Sequence, residues 1–246
     1  MRGRILVGTA GWSVASRYFA AIPAGGTHLE RYCRAFPVVE IDTSFYRHHQ
    51  AQTYARWTQS VGKEFQFAVK TPRALTHEGE LIRGKNADLT DFLREIEGLG
   101  PKLRVLLVQL PPSLEFDGAA VRRFLRRLRR GVRATTALVC EPRHASWGTE
   151  KVDALLKDLG VARAAVDPPR WGDDARPAGD PRLAYFRMHG SPRIYYSGYG
   201  AERLDQLRKT LKHSSRTSEQ VWCIFDNTAH GHAIGNALAL RMLLTR

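Results

Sequence analysis

The stretch Ala137-Leu138-Val139-Cys140-Glu141-Pro142-Arg143-His144-Ala145-Ser146-Trp147 begins as an apolar run and ends in charge, proline and an aromatic. The run has the length and composition of a buried strand. Side chains alternate along a strand, so Ala137, Val139, Glu141 and Arg143 share one face, with Leu138 and Cys140 on the other. A carboxylate and a guanidinium therefore emerge together where the strand stops. The layout recurs at Arg4–Thr9, Val38–Ser44, Phe65–Lys70, Arg104–Leu110, Val161–Asp167, Leu183–His189 and Gln220–Phe225. Between these runs, apolar residues at helical spacing predict helices at Leu29–Phe36, Thr53–Val61, Leu89–Leu99, Val121–Arg133, Val152–Leu159, Glu202–Lys212 and Gly231–Leu244. Strands alternating with helices over 246 residues predict an α/β fold, a single (β/α)8 TIM-like barrel with parallel strands and one domain over residues 1–246. The polar stretch Arg170–Pro181 reads as a loop.

Hydrophobic content of 43% and charged content of 25% are those of an ordinary globular chain. No apolar run approaches the roughly 20 residues of a membrane span, so no membrane partner is expected. The first strand begins too close to Met1 for a signal peptide, and a cytoplasmic protein is expected. Cys33, Cys140 and Cys223 lie far apart, which reads as reduced thiols without zinc spacing or a disulfide framework. The net charge of +14 favours anionic partners, nucleic acid above all. A compositional origin stays open, because 30 of the 38 basic residues are arginine. The seven arginines of Val121–Arg133 fit either a solvated helix face or a nucleic-acid footprint.

If the apolar strand faces pack on helices, the barrel interior receives Glu40, Asp42, Lys70, Gln109, Glu141, Arg143, Asp167, Arg187, His189 and Asp226. Nearly all stand at strand C-terminal ends, where barrel enzymes build their sites. Buried charge costs several kcal/mol per ion unless paired, so so many charges here point to a function or to a self-satisfied network around Glu141. The turns His189-Gly190-Ser191 and Asn227–His232 follow the last two strands, where barrels often hold phosphate; a helix cap at Asn227 or Thr228 explains the latter as well. Trp12, Tyr46, Trp147 and the tyrosines of Tyr195–Tyr199 are aromatics that stack on bases or sugars, or that simply pack. Glu40, Asp42, Glu141, Asp167, Asp226, His77, His144 and His189 are metal-ligand types without diagnostic spacing, which leaves a divalent metal open and no cofactor assigned. No Gly-x-Ser-x-Gly elbow is present for a serine hydrolase.

These pieces resemble the domain-of-unknown-function-72 family, also called YecE-like. They are Gly8-Thr9-Ala10-Gly11-Trp12, Val39–Arg47, Phe67-Ala68-Val69-Lys70 with Thr76-His77, Gln109-Leu110-Pro111-Pro112, Glu141–Trp147, Tyr185–Gly190 and Phe225–Thr228. The resemblance spans the chain in order and implies a TIM-like barrel, similar in fold to the endonuclease-IV and sugar-isomerase type. The family usually carries a second tryptophan after Trp12, where this chain has Val14. The residues themselves predict an enzyme acting on an anionic, phosphoester substrate such as nucleic acid. Glu141 or Asp226 would be base or metal ligand, His189 acid, and Lys70, Arg143 and Arg187 phosphate holders. Trp12, Glu40, Asp42, Tyr46, Gln109, His144, Trp147, Gly190 and Asn227 complete the expected ligand contacts. Two alternatives remain: a metal-free enzyme on a small sugar or carboxylate, and a nucleic-acid-binding protein without catalysis.

Overall fold

A computed structural model describes residues 2–22, 25–78, 87–172 and 176–245. Its strands are β1 (Arg4–Ala10), β2 (Val38–Ile41), β3 (Gln66–Lys70), β4 (Leu103–Gln109), β5 (Ala137–Glu141), β6 (Val161–Arg163), β7 (Ala165–Asp167), β8 (Ala178–Gly179), β9 (Leu183–Met188) and β10 (Gln220–Phe225). They form one sheet in the order β7-β9-β10-β1-β2-β3-β4-β5-β6-β8. Every pairing is parallel except β6 with β8, which is antiparallel. The helices are α1 (His28–Ala35), α2 (Ala51–Gln59), α3 (Arg73–Thr76), α4 (Ala87–Ile96), α5 (Gly118–Arg130), α6 (Glu150–Asp158), α7 (Ala201–Ser214) and α8 (His232–Thr245).

The alternation of strand and helix is the expected barrel, with three departures. The predicted sixth strand is split at Ala164: β6 pairs with β5, while β7 pairs with β9. One residue thus joins the two sides of the barrel, which closes through the chain rather than through a continuous ladder. Within the predicted loop 170–181, Ala178–Gly179 adds the short β8 beside β6. The second strand also ends early, at Ile41, and Thr43–Phe45 turns as a 3-10 helix.

Two apolar layers follow from the period of two along each strand. Leu6, Val38, Ala68, Val105, Leu107, Val139, Ala162, Ala164, Val166, Leu183, Tyr185, Trp222 and Ile224 fill the barrel interior. The alternate residues pack against the helices. Three of the helices begin at side-chain caps: Thr27 and Glu30 form a reciprocal capping box at α1, Asp117 caps α5 and Thr149 caps α6. Tyr32 of α1 ties the first two strands to that helix, its hydroxyl accepting from Thr9 N at 2.8 Å and donating to Val38 O at 2.9 Å.

The interior parity expected for the sixth strand is inverted. Ala162, Ala164 and Val166 point inward, and Arg163 and Asp167 point to the helices. Arg163 donates to Asp153 of α6 at 2.6 Å, and Asp167 accepts from Tyr199 at 3.0 Å and from Arg203 of α7. Asp167 is therefore bound to the outer layer and does not enter the mouth. Helix-borne partners satisfy the charges at this strand, so small apolar residues are left for the interior.

Gly8 stands at a close approach of β1 to β2 in the barrel wall. A Cβ there would stand 2.2 Å from Val38 O and 2.9 Å from Val38 Cγ2. Gly8→Ala is expected to prise β1 from β2 and cost about 1–3 kcal/mol, the usual range for overpacking. Urea titration followed by circular dichroism measures this; an unchanged midpoint would show that the wall yields.

Candidate functional site

The inward residues at the last turn of β2, β5, β9 and β10 converge on one side chain, Arg187 of β9, which is fully buried. Its guanidinium donates to Glu40 through Nε at 3.1 Å and through one terminal nitrogen at 2.5 Å. The other terminal nitrogen reaches Glu141 at 2.8 Å, and Asp226 and Asp42 lie 3.1 and 3.6 Å away. Four carboxylates thus surround one cation. Burial opposes its charge, but Glu40, Glu141, Asp226 and Asp42 outweigh burial and hold Arg187 well above its ordinary range.

Around this centre the carboxylates divide into two kinds. Glu141 accepts from Gln109 at 2.7 Å, His189 Nε2 at 3.2 Å and Arg143 at 3.3 Å besides Arg187. Burial alone would raise it, but Arg187, His189 and Arg143 hold it well below the usual carboxylate range. Asp226 accepts from His189 Nδ1 at 2.9 Å and is likewise held low, Arg187 and His189 prevailing over burial. On β2 the balance is reversed. Burial pushes Glu40 up to about 8 despite Arg187, with the Asp42 charge adding to the rise, and Tyr185 donates to it at 2.7 Å. Burial also raises Asp42, against the attraction of Lys70, and the neighbouring Asp226 adds to the effect.

Depth separates these groups further. Glu40, Glu141, Arg187 and His189 have no exposed side-chain surface, whereas Asp42 keeps 26%. Asp42, Lys70 and Asp226 line a cleft of about 1000 Å³ over the ends of β10, β1, β2 and β3, walled by Trp12, Tyr46, Tyr195 and the start of α8. The Asp42 Oδ1 atom is closed to solvent and has no hydrogen-bond partner among the described residues. The Lys70 ammonium sits 4.1 Å over the Phe45 ring, with no carboxylate within ion-pair distance among the described residues. Tyr195 leans edge-on to His189, centroids 5.7 Å apart, while its hydroxyl accepts from Arg143 at 3.3 Å. It holds a positive φ of 69°, an uncommon conformation for a bulky side chain that its neighbours must enforce.

Residues 6–246 match the family described as "Protein of unknown function DUF72". The chain belongs to the DUF72 family. UPF0759 protein YunF of Bacillus subtilis strain 168 is 24% identical over 98% of this chain and 94% of its own length. A DUF72 family protein of Thermotoga maritima MSB8 shares the fold at a TM-score of 0.83, with 27% identity over 99% of this chain and all of its own. One from Enterococcus faecalis V583 aligns at a TM-score of 0.81, with 22% identity over 98% of this chain and 96% of its own.

In this DUF72 chain most expected site residues meet at the mouth, but several have other employment. Trp147 is buried in the outer layer, its ring nitrogen donating to Leu114 O at 2.9 Å beside Phe116. His144 caps the turn that follows it, accepting from Ser146 N at 3.2 Å. The Gly190 N–H, expected to face phosphate, donates to Tyr199 at 2.8 Å. Asn227 donates to Ser197 O and Asn236, both at 2.9 Å, and so fastens the loop after β9 to α8. Tyr46 is 79% exposed, and Trp12 packs edge-on to Trp57 at 5.0 Å, so both remain on the cleft rim. Among the described residues no group of three or more His, Cys, Asp or Glu is arranged to hold a metal; the carboxylates turn onto Arg187 instead. No helix of those residues is long and apolar enough to cross a membrane. Tyr185, which donates to Glu40 at 2.7 Å, is not among the expected site residues although it shares the inward face of Arg187.

Proposed function

We propose that the chain is an enzyme that acts on a phosphoester at the mouth of the barrel, with Asp42 as its acid–base group. The observation that carries this reading is the Asp42 carboxyl, which keeps 26% of its side chain exposed, lines a cleft beside Lys70 and is raised by burial, while its Oδ1 atom is closed to solvent without a hydrogen-bond partner among the described residues. A general acid or base works best with its pKa moved toward the working pH, and burial moves Asp42 in that direction. Lys70 supplies positive charge where a phosphoryl oxygen would gain charge, without a carboxylate to neutralise it at close range.

The roles first read from the sequence shift accordingly. Glu141 and His189 lie beneath the accessible surface and fasten to one another, and Arg187 is engaged by four carboxylates. These three hold the geometry of the mouth, and the outer ring of Asp42, Lys70, Asp226 and Tyr195 meets the substrate. The basic exterior, with the arginine face of α5, suits a polyanion such as nucleic acid. The aromatic rim formed by Trp12 and Tyr46 favours a second reading, a small sugar substrate in the cleft that Asp42 lines.

Asp42→Asn is expected to lower kcat on aryl phosphate esters or oligonucleotides by about 10²–10⁴-fold, the range for a lost acid–base group. Its thermal midpoint should stay close to wild type. Equal turnover by the variant, or no turnover of either substrate class by the wild type, would overturn the reading. Binding of an oligonucleotide that does not weaken with salt would favour the sugar reading.

A further inference from the structure

A second large cleft opens at the other end of the barrel from Asp42. It holds about 1040 Å³ between α7 and residues 176–181, the strap that carries β8. It shares no lining residue with the cleft at the mouth. Its walls are the last turns of α7, the turn into β10 and the residues leading to β9, which lie toward the N-terminal ends of the strands. A strand of six residues such as β9 spans about 20 Å, and that length separates this cleft from the mouth. The strap is held in place: β8 pairs with β6, and a Cβ on Gly179 would stand only 2.3 Å from Val161 O.

Charge distinguishes this cleft. Five cations line it, Arg176, Arg208, Lys209, Lys212 and Arg216, against one carboxylate, Asp180. That carboxylate is already taken at 2.6 Å by Arg182, which lies outside the lining. Nearby Asp205 is divided between Arg208 at 2.8 Å and Lys209 at 3.0 Å. Lys212 and Arg216 have no carboxylate within ion-pair distance among the described residues. Arg176, Lys209 and Arg216 are exposed. The dipole of α7 accounts for Lys212 in its last turn, but not for Arg216 beyond the helix or Arg176 on the facing strap. Ser214 and Ser218 add hydroxyls to the same walls.

We infer that this cleft docks the phosphate backbone of double-stranded nucleic acid without reading its sequence. The lining contains no Phe, Tyr or Trp. A single strand in a basic groove relies on such rings to stack its bases. A duplex has its bases stacked already and turns its phosphates outward, where guanidinium, ammonium and hydroxyl donors bind them. An acidic protein surface is the poorer fit. Protein interfaces are anchored by buried aromatic and apolar groups, and the apolar side chains here are Pro177, Ala178 and Pro181 alone. A row of cations gains most from a polyanion, because it releases the counterions condensed there. Docking is independent of the chemistry at Asp42: a duplex held at this end is tethered rather than presented to the mouth.

Fluorescence anisotropy of a labelled DNA duplex of mixed sequence, followed over a range of salt, tests the cleft. The proteins compared are wild type, the double variant Lys212→Gln with Arg216→Gln, the double variant Arg126→Gln with Arg130→Gln, and Asp42→Asn. Both double variants lose the same charge, the second from the exposed face of α5. Wild type is expected to bind with an affinity that falls steeply as salt rises. The cleft variant should bind about tenfold more weakly and lose about two units of the log–log salt slope, near one per lost phosphate contact. The α5 variant and Asp42→Asn should bind nearly as wild type does. An equal loss in both double variants would assign the affinity to overall charge and overturn the cleft. So would absent binding by wild type, a loss in Asp42→Asn, tighter binding of the matching single strand, or displacement of the duplex by polyglutamate at equal charge. Turnover of a small aryl phosphate ester reports on Asp42 and should be unchanged in the cleft variant, so docking and chemistry fail separately.

Discussion

Arg187→Met is expected to destabilise the protein by about 3–5 kcal/mol, the usual consequence of removing one partner from a buried ion pair. Methionine keeps much of the volume, so the loss reports charge rather than a cavity. Glu40 and Glu141 would remain fully buried, and Asp226 nearly so, with their central cation gone. The sign of the pH dependence follows. In wild type, Glu141 is held below its ordinary value, so its contribution is present above about pH 4.5 and fades as pH falls toward its folded value. Glu40 acts in the opposite sense: raised to about 8, it contributes fully below its ordinary 4.5, and that contribution is lost as pH rises through 8. Without Arg187, burial raises Glu141 as well, and both then favour folding at low pH. The deficit of the variant should therefore shrink between pH 8 and pH 5. Guanidinium titrations at both pH values measure it; a deficit that grows on acidification would mean that Arg187 is not what neutralises these groups.

Trp222→Ala should be nearly as damaging, at about 3–5 kcal/mol for a large aromatic removed from a core. Trp222 is fully buried inside the barrel and stacks on Tyr185, centroids 6.0 Å apart. Tyr185 in turn donates to Glu40 at 2.7 Å. The cavity would form directly beneath a residue that positions the site, so the change should also loosen Glu40 on Arg187. Urea unfolding gives the loss of stability. Denaturation within about 1 kcal/mol of wild type would show that Tyr185 and its neighbours collapse into the space.

Which faces point inward was legible wherever a strand runs unbroken. On β2, β3, β5, β9 and β10 the alternation alone placed Glu40, Lys70, Glu141, Arg187 and Asp226 on the interior side. It failed at the sixth strand, where outward Arg163 and Asp167 look like inward charge because their partners Asp153 and Arg203 belong to helices. Depth was illegible as well. Glu40 and Asp42 differ by one strand period, yet one is sealed and the other reaches the cleft. Trp147 follows a strand end as a rim aromatic would, and only the packing of Leu114 and Phe116 sends it to the outer layer.

The Arg187 cluster also has a consequence for the order in which the chain assembles. Its hydrogen-bonded partners Glu40, Glu141 and Asp226 are 147, 46 and 39 positions away, on β2, on β5 and just past β10. Until β9 arrives, the earlier strands carry Glu40, Asp42 and Glu141 toward a space that holds no Arg187. Such a half-built barrel has good reason to keep that space hydrated. Drying of the interior and arrival of the seventh stave are then one event, late and dominated by distant contacts, as expected of a slow, high-contact-order step. The residue at the centre of the mouth would thus act as the latch of the fold.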